Sequence, residues 1–338
     1  MNTLEENKLE SLKKKIENLL KVRHCVALNS GTDALTLGLH AIGIRRGDEI
    51  ITTPNSFIAS TAVIVHLGAK PVFVDVKEDQ CIDPNLIERS ITKKTKAIMV
   101  VHLTGRVCEM DKIIKISKKY NIPIVEDAAQ SIGSKFKNKF AGTFGTVGCF
   151  SAHPLKNLNA MGDSGYLTTN SNTIANYIRD IRNHGMTNRN KIYHFGHVSR
   201  MDNLQASILN YRLKSLPGII KKRRENAKIY FENLNENYIF FPRENEKEFN
   251  TYHTFVVQLP KRDQLKKYLG KKGIETSIHY PIPIHLQPAA KKLNYKKGDF
   301  KVTEKQAKEI LTLPINQYLN KNDIKKICLE INKFYENQ

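Results

Sequence analysis

The stretch IPIVEDAAQSIGSKFKNKFAGTFGTVGCFSAHPLKN, residues 122–157, contains two apolar runs that stop at polar residues. The first run, IPIV, stops at Glu126 and predicts a strand at 122–126, which Asp127 follows. The second run, VGCF, stops at Ser151 and predicts a strand at 147–151, and Lys156 follows after four further residues. Short, continuously apolar runs are typical of strands that are buried on both faces of a parallel sheet. Because ligands of open α/β sheets bind at the carboxyl ends of the strands, we expect chemistry where these two runs stop.

The alternation of apolar runs and helical patterns continues on both sides of this stretch. The other candidate strands are 24–28, 49–52, 71–75, 97–102 and 165–169, and the candidate helices are 4–20, 32–42, 57–67, 84–90 and 109–120. Helices between strands supply the crossovers that a parallel sheet needs. The sequence therefore predicts an α/β fold whose large domain has a mainly parallel central sheet.

The C-terminal third of the chain predicts a second, smaller α/β domain. Long helices at 172–184 and 200–236 are followed by a strand at 252–258, a helix at 262–272, a short strand at 274–278, and helices near 303–311 and 321–335. We expect residues 1–236 to hold the N-terminal helix, the large domain and the connecting helices. Residues 237–338 then form the small C-terminal domain.

The chain is strongly basic, with 54 Lys and Arg against 33 Asp and Glu and a formal net charge of +21 over 338 residues. Such a balance occurs in proteins that bind nucleic acids, anionic membranes or phosphorylated substrates. However, 40 of the 54 are Lys, spread along the whole chain, whereas base-edge readers favour Arg. Aromatic residues are not interleaved with the basic runs. We therefore expect a solvated basic surface and no nucleic-acid partner.

Cysteine usage and hydropathy point to a cytoplasmic protein without membrane contact. The cysteines are Cys25, Cys81, Cys108, Cys149 and Cys328. Their odd number, wide spacing and lack of a C-x-x-C pair favour reduced thiols over a disulfide framework or a zinc site. Since no second ligand lies at metal spacing from His153, we expect no metal. No signal-peptide core is present, and no run approaches the roughly 18 apolar residues of a membrane-spanning helix.

The segment NSGTDAL, residues 29–35, follows the apolar run 24–28 and begins a helical pattern. Ser, Gly and Thr at a helix start leave backbone N–H groups and the positive end of the helix dipole available to an anion. Taken alone, the segment is also explained by a plain helix N-cap, because short glycine-containing motifs are weak signals. It is a candidate phosphate site.

Asp127 and Lys156 are the candidate reactive residues at the other two strand ends. An acid at the end of a buried strand is costly unless a cation meets it, although Asp127 could also be a helix N-cap. Lys156 lies among small and apolar residues, whereas other Lys residues cluster in pairs or triplets. A partly desolvated Lys becomes a nucleophile toward carbonyl groups, and the alternative is a structural Lys.

Together the three strand ends match the needs of one cofactor. A phosphate cradle, an acid that can pair with a pyridinium nitrogen and an isolated Lys are the parts that pyridoxal phosphate requires. The order of phosphate loop, Asp127 and then Lys156, 29 residues later, is that of the large domain of fold type I aminotransferases.

The sequence resembles the DegT/DnrJ/EryC1/StrS family of sugar aminotransferases over nearly its whole length. The matching segments are NSGTDAL (29–35), GDEIITTPNSFIAS (47–60), GAKPVFVDV (68–76), VEDAAQSIGS (125–134), GTFGTVGCFSAHPLKNLN (142–159), RNHG (182–185), RMDNLQASIL (200–209) and IHYPIPIHLQPA (278–289). The resemblance implies a fold type I enzyme that uses pyridoxal 5′-phosphate and forms a homodimer.

The resemblance also implies roles for individual residues. Lys156 carries the cofactor and moves the substrate proton, and Asp127 pairs with the ring nitrogen and keeps it protonated. The other implied cofactor contacts are Gly31, Thr32 and Ser151 to the phosphate, Gln130 to the ring hydroxyl and Phe57 stacked on the ring. The candidate substrate contacts are His279, Tyr280 and His285, with packing at the domain interface as the alternative.

One position departs from the family pattern. Val198 stands where the family usually has an Asn that reaches the phosphate from the neighbouring subunit. His197 or Ser199 replaces that contact, or the contact is missing. Relatives in which a His replaces the cofactor-binding Lys are dehydratases, and Lys156 argues against that activity.

The implied activity is the amination of a nucleotide-linked keto sugar by an amino-acid donor such as glutamate, for amino-sugar or polysaccharide biosynthesis. The stretch IHYPIPIHLQ, residues 278–287, looks more like members that act at C3 of the sugar than those that act at C4. The alternatives are a C4 aminotransferase, a sugar dehydratase and a non-catalytic, cofactor-binding regulatory protein.

Overall fold

The computed structural model describes residues 5–188 and 190–337; Leu4, the first residue of the predicted N-terminal helix, lies outside them. The helices are α1 Glu5–Leu20, α2 Gly31–Ala41, α3 Ala59–His66, α4 Pro84–Ile87, α5 Met110–Tyr120, α6 Asn172–Ile181, α7 Asn203–Arg212, α8 Leu216–Asn233, α9 Arg262–Lys271, α10 Lys301–Glu309 and α11 Lys321–Glu336. The strands are β1 His24–Leu28, β2 Glu49–Thr52, β3 Lys70–Phe73, β4 Thr95–Val101, β5 Ile124–Asp127, β6 Lys135–Phe136, β7 Lys139–Phe140, β8 Val147–Ser151, β9 Gly165–Thr169, β10 Met186–Asn188, β11 Lys191–Ile192, β12 Glu248–Phe249, β13 Phe255–Gln258 and β14 Ile310–Leu313.

The central sheet has seven strands in the order β1-β9-β8-β5-β4-β2-β3. Neighbours from β8 to β3 are parallel, whereas β9 is antiparallel to both β8 and β1. Since β1 consequently runs with β8, β9 is the reversed strand of this sheet. The predicted mainly parallel α/β sheet is confirmed, and the ends of β1, β2, β4, β5 and β8 lie along one edge.

The sheet is covered by helices on both faces. Successive residues of β4 show this, because Ile98, Met99 and Val100 are all fully buried. Met99 packs with residues of α2, α3 and α6 on one face, and its two neighbours pack with residues of α4 and α5 on the other. Side chains of a strand alternate between faces, so a strand covered on both sides has to be apolar throughout.

The small domain is built on the antiparallel pair β13 and β14. Its core contains side chains of α9, α11 and β13, together with Ala227 and Tyr230 from the second half of α8. This core takes residues from both sides of position 236, so the boundary there stays a prediction. The predicted strand at 274–278 forms only an isolated bridge at Ser277, and residues 310–311, predicted as helix, begin β14.

Hydrogen bonds donated by main-chain amides hold the small domain against the carboxyl edge of the sheet. Asp75, which follows β3, accepts hydrogen bonds from the amides of Val302 and Thr303 at 2.9 and 3.0 Å and thereby caps α10. The amide of Ile284 donates to the carbonyl of Pro54 at 2.9 Å. These contacts bring the segment around residue 280 to the edge where the predicted site residues lie. No helix in the described part of the chain is long and apolar enough to cross a membrane.

Candidate active site

A cavity of about 480 Å³ opens at the carboxyl edge of the central sheet. The predicted site residues that line it are Gly31, Thr32, Phe57, Asp127, Gln130, Ser151, Lys156, His279 and Tyr280. They come from five different segments of the chain, which only the fold brings together. Of the predicted residues, His285 alone does not line the cavity.

The start of α2 forms one wall of the cavity. Ser30 caps the helix, with its Oγ accepting from the amide of Asp33 at 3.0 Å. Gly31 packs so closely on Ser151 that an added Cβ would lie 2.7 Å from the Cβ of that residue. The glycine thus lets the helix start meet the end of β8. Unpaired amides and the helix dipole at this point suit a phosphate group.

Asp127 is buried at the end of β5, and both of its carboxylate oxygens accept hydrogen bonds. Oδ1 accepts from the amide of Ala129 at 3.1 Å, and Oδ2 accepts from the hydroxyl of Ser60 at 2.7 Å. The two bonds fix the orientation of the carboxylate. Asp127 is therefore suited to pair with a protonated ring nitrogen in the cavity.

The neighbouring acid, Glu126, faces the opposite side of the sheet. Its side chain is fully buried and lies 2.9 Å from Nε2 of His102. It also accepts from the amides of Gly142 and Gly145, at 2.8 and 2.5 Å. Because adjacent strand residues point to opposite faces, only one of the two acids reaches the cavity. Glu126 holds together the segments that flank the site.

Lys156 lies just after β8 and lines the same cavity as Asp127. Burial lowers the pKa of Lys156, and the negative charge of Asp127 opposes that shift. A lowered pKa increases the fraction of the neutral amine, which is the nucleophilic form. The sequence-based interpretation of Lys156 as a partly desolvated lysine agrees with this environment.

Gln130 is oriented by a backbone amide. Its Oε1 accepts from the amide of Thr104 at 2.7 Å, so its amide nitrogen is left to donate. Burial and the charge of Asp127 raise the pKa of Tyr280, a hydrogen bond with Gln130 lowers it, and the result is about 12. Tyr280 is therefore a neutral hydroxyl at physiological pH. Its ring lies 6.2 Å from the ring of Phe57, which is 55% exposed at the mouth of the cavity.

Two histidines in the cavity wall are held in the neutral form. Burial, followed by the charge of Lys156, lowers the pKa of both His253 and His279. Nδ1 of His279 lies 2.9 Å from the hydroxyl of Thr312, whereas the buried Nδ1 of His253 has no hydrogen-bond partner among the described residues. Sequence reasoning missed His253, since a lone His before a strand carries no distinctive pattern.

His285 is placed away from the cavity. It is buried, its Nε2 lies 3.1 Å from a carboxylate oxygen of Glu304, and its ring packs edge-on against Phe300. The geometry favours the packing alternative for this residue over substrate contact.

Val198 does not line the cavity of its own chain and is 57% exposed. The neighbouring Ser199 is buried, and its hydroxyl donates to Asp33 at 2.7 Å and accepts from the amide of Asn29 at 3.3 Å. With both contacts made inside the chain, Ser199 is not available to replace a contact to a neighbouring subunit. Of the two predicted substitutes for the family Asn, this leaves His197.

The donor set of the cavity fits pyridoxal phosphate. The close approach of α2 and β8 at Gly31, here called the glycine cradle, suits the phosphate of that group. The hydrogen-bonded carboxylate of Asp127 suits its ring nitrogen, and Lys156, with its lowered pKa, suits its aldehyde. No group of three or more His, Cys, Asp or Glu suited to a metal ion occurs within residues 5–188 and 190–337.

Comparison with known proteins supports the same interpretation. The model of the DegT/DnrJ/EryC1/StrS aminotransferase family matches residues 2–332. A pleiotropic regulatory protein from Geobacillus stearothermophilus is 39% identical over 93% of this chain and 86% of its own length. Two relatives at 36% identity are named as transaminases. One is the dTDP-3-amino-3,6-dideoxy-alpha-D-galactopyranose transaminase of Aneurinibacillus thermoaerophilus, over 96% of this chain and 90% of that protein. The other is the UDP-2-acetamido-2-deoxy-3-oxo-D-glucuronate aminotransferase of Pseudomonas aeruginosa, over 94% and 88%.

Solved structures share the whole fold. DesV of Streptomyces venezuelae superimposes with a TM-score of 0.95 at 33% identity, over 97% of this chain and 89% of that chain. NtdA of Bacillus subtilis, solved with bound pyridoxamine phosphate (PMP) as cofactor, superimposes with a TM-score of 0.91 at 32% identity, over 97% and 77%. The predicted family, fold and cofactor are confirmed. The chain belongs to the DegT/DnrJ/EryC1/StrS aminotransferase family, whose members use pyridoxal phosphate.

Proposed function

We propose that this protein transfers an amino group from an amino acid such as glutamate to C3 of a nucleotide-linked keto sugar. The observation that carries the proposal is a single cavity that holds Lys156, with its lowered pKa, the hydrogen-bonded Asp127 and the glycine cradle at Gly31. These are the residues that transamination needs, and they converge from three strand ends.

Each residue has a defined task in this reaction. Gly31, Thr32 and Ser151 would hold the phosphate of the cofactor, and Gln130 would donate to its ring hydroxyl. When bound, pyridoxal phosphate supplies an electron sink for the carbon that loses its proton. Lys156 holds and returns that proton, and Asp127 keeps the ring nitrogen protonated.

The substrate end of the cavity suits a sugar. His279 is neutral because burial and Lys156 lower its pKa, and Tyr280 is neutral because its pKa is about 12. Neutral imidazole and phenol groups both donate and accept hydrogen bonds, as sugar hydroxyls require. A net charge of +21 attracts the diphosphate of a nucleotide sugar. Amination at C3 is supported by the segment 278–287 and by the names of the two transaminase relatives.

A homodimer is part of the proposal. Large apolar side chains are exposed shortly after β8, along the segment before Val198 and on α7, namely Leu155, Met161, Ile192, Tyr193, Phe195, Leu204 and Tyr211. Clustered exposed apolar residues are typical of a protein interface, and a two-fold symmetric dimer would pair such surfaces.

The first test is cofactor attachment. The purified protein should show a visible absorption band that borohydride abolishes, with the reduced adduct on Lys156 by peptide mass spectrometry. Lys156→Ala should lose the adduct, whereas Lys139→Ala, at an exposed position of β7, should keep it. An adduct on another lysine would refute the assignment.

The second test identifies the reaction. The protein is incubated with glutamate and a panel of 3-keto and 4-keto nucleotide sugars, and the position of the new amine is determined by NMR. Amination at C4 alone would refute the C3 assignment. Cofactor binding without any amination across the panel would favour a regulatory role, which the name of the Geobacillus relative suggests for that protein.

A further inference from the structure

A chain of two buried hydroxyl groups leads from the start of α3 to Asp127. Ser60 is fully buried, and its Oγ lies 2.7 Å from Oδ2 of Asp127. The hydroxyl of Ser56, also buried, lies 2.7 Å from the hydroxyl of Ser60. Sequence reasoning missed both serines, since the segment they occupy continues into the apolar run of α3.

The direction of the chain follows from the number of protons. Each hydroxyl has one proton to donate, and the ionised Asp127 can only accept. Ser60 lies 3.3 Å from the carbonyl of Phe57, which is a longer contact than the 2.7 Å to Asp127. Ser60 therefore donates to Asp127, and Ser56 donates to Ser60.

We propose that Ser60 is a positioning residue for Asp127, holding its carboxylate aimed at the cofactor ring nitrogen. The proposal rests on the proposed function of the site. Ser60 fixes one carboxylate oxygen and the amide of Ala129 fixes the other, so the two donors together restrict the rotation of the carboxylate. A carboxylate that does not rotate would stay beside the ring nitrogen of the bound cofactor, where it serves the reaction.

The same segment connects the two predicted contacts of the cofactor ring. Phe57 lies between Ser56 and Ser60, and its carbonyl accepts from the amide of Ser60 at 3.3 Å. The ring of Phe57 and the hydroxyl of Ser60 that donates to Asp127 are therefore carried by the same turn of the chain. A shift of this turn would move both contacts together.

The test compares Ser60→Ala with Thr61→Val. Thr61 is the next residue of α3, is also buried, and its hydroxyl has no hydrogen-bond partner among the described residues. Ser60→Ala should lower kcat by about ten- to a hundredfold with little change in KM, since hydrogen bonds to charged groups carry that much. It should also shift the pH dependence of the visible cofactor band. Thr61→Val should change neither quantity.

Ser56→Ala provides a second variant, which keeps the contact between Ser60 and Asp127. It should lower kcat by about two- to tenfold, because the hydrogen bond that it removes joins two neutral groups. If Ser60→Ala matches Thr61→Val in kcat and in the cofactor band, the proposal is wrong.

The role of Ser60 can be tested even if the proposed function is wrong. If the wild-type protein shows no cofactor band, the proposed function fails. Crystal structures of the cofactor-free variants then show whether Ser60 positions the carboxylate of Asp127. Ser60→Ala should leave the Asp127 carboxylate in more than one orientation, and Thr61→Val should leave it in one. A single, unchanged orientation in both variants would overturn the proposal.

Discussion

Among single residues, Lys156 and Asp127 carry the proposed chemistry and lie in different environments. Burial favours the neutral form of the lysine, whereas the carboxylate of the aspartate is held by hydrogen bonds from Ser60 and Ala129. A nucleophilic amine and a carboxylate can therefore share one cavity. The attraction between them limits how far the pKa of the lysine falls.

Asp127→Asn tests the anion. The amide side chain is nearly isosteric and can accept from only one of its two present donors, so the fold and cofactor binding should be largely retained. Loss of the charge beside the ring nitrogen should slow transamination on the order of 100-fold or more. Single-turnover rates with glutamate, followed by the cofactor absorption, measure the effect. Near wild-type turnover would mean that Asp127 acts only as a hydrogen-bond acceptor in the fold.

The sequence predicts residues at strand ends well and residues behind them poorly. Lys156 and Asp127 stand out because a charged residue beside a buried strand is unusual. Ser60 gives no such signal, since a serine in an apolar helix is common and its partner is 67 positions away. His285 lies in a stretch that resembles the family, yet its ring contacts Glu304 and Phe300 and does not line the cavity. Which of several nearby histidines faces a cavity depends on tertiary packing.

At the level of elements, close approach between α2 and the sheet shapes the proposed phosphate site. An added Cβ on Gly31 would lie 2.7 Å from Ser151, and one on Gly165 would lie 2.3 Å from the carbonyl carbon of Ser30. Both glycines therefore let backbone segments touch where a side chain would separate them. The helix start, the end of β8 and the beginning of β9 meet only because these positions lack side chains.

Gly31→Ala tests the cradle. Since the Cβ of Ser151 is fixed to the backbone of β8 and cannot swing aside, the helix start has to shift, and cofactor affinity should fall at least tenfold. Gly218→Ala, in α8 with open space around its Cα, is the control and should leave affinity unchanged. Titration of the cofactor-free variants with pyridoxal phosphate measures both. Equal affinities in the two variants would contradict a role of the α2 start in phosphate binding.

The strands of the central sheet were predictable because each is a compact apolar run covered on both faces. The small domain was harder, and β14 shows why. Its sequence ILTL directly follows the amphipathic pattern of α10 and extends it without a break, so periodicity alone assigns its first residues to the helix. The pairing of β14 with β13 decides its structure, and that contact spans more than 50 residues. Strands such as β6 and β12 are two residues long and carry no pattern of their own.

For the molecule as a whole, the position of the small domain and the proposed pairing of two chains both bear on the site. Asp75 and Pro54 tie the small domain to the sheet edge, so that His279 and Tyr280 reach the cavity from the second domain. The exposed apolar side chains of the segment before Val198 do not line the cavity of their own chain. In the proposed dimer, this segment would face the phosphate site of the partner.

The last prediction concerns Val198, where the family usually supplies an Asn to the neighbouring phosphate. If that hydrogen bond is missing, Val198→Asn should tighten cofactor binding. A bond to a charged group contributes roughly 1.5–3 kcal/mol, so at the lower end of that range the gain should be about tenfold in the dissociation constant, at about 1.4 kcal/mol per decade. Titration of the cofactor-free protein with pyridoxal phosphate measures it.

If another residue replaces the family Asn, the structure leaves His197 as the candidate. Ser199 is buried and its hydroxyl is occupied by Asp33 and Asn29, whereas His197 is exposed. If His197 already donates to the phosphate of the partner, Val198→Asn should be neutral or harmful and His197→Ala should weaken binding. Phe195→Asp, which places a charge on the exposed apolar segment, should dissociate the dimer and weaken binding in either case. If neither Val198→Asn nor His197→Ala changes the affinity while Phe195→Asp separates the subunits, this segment contributes to pairing but does not reach the phosphate.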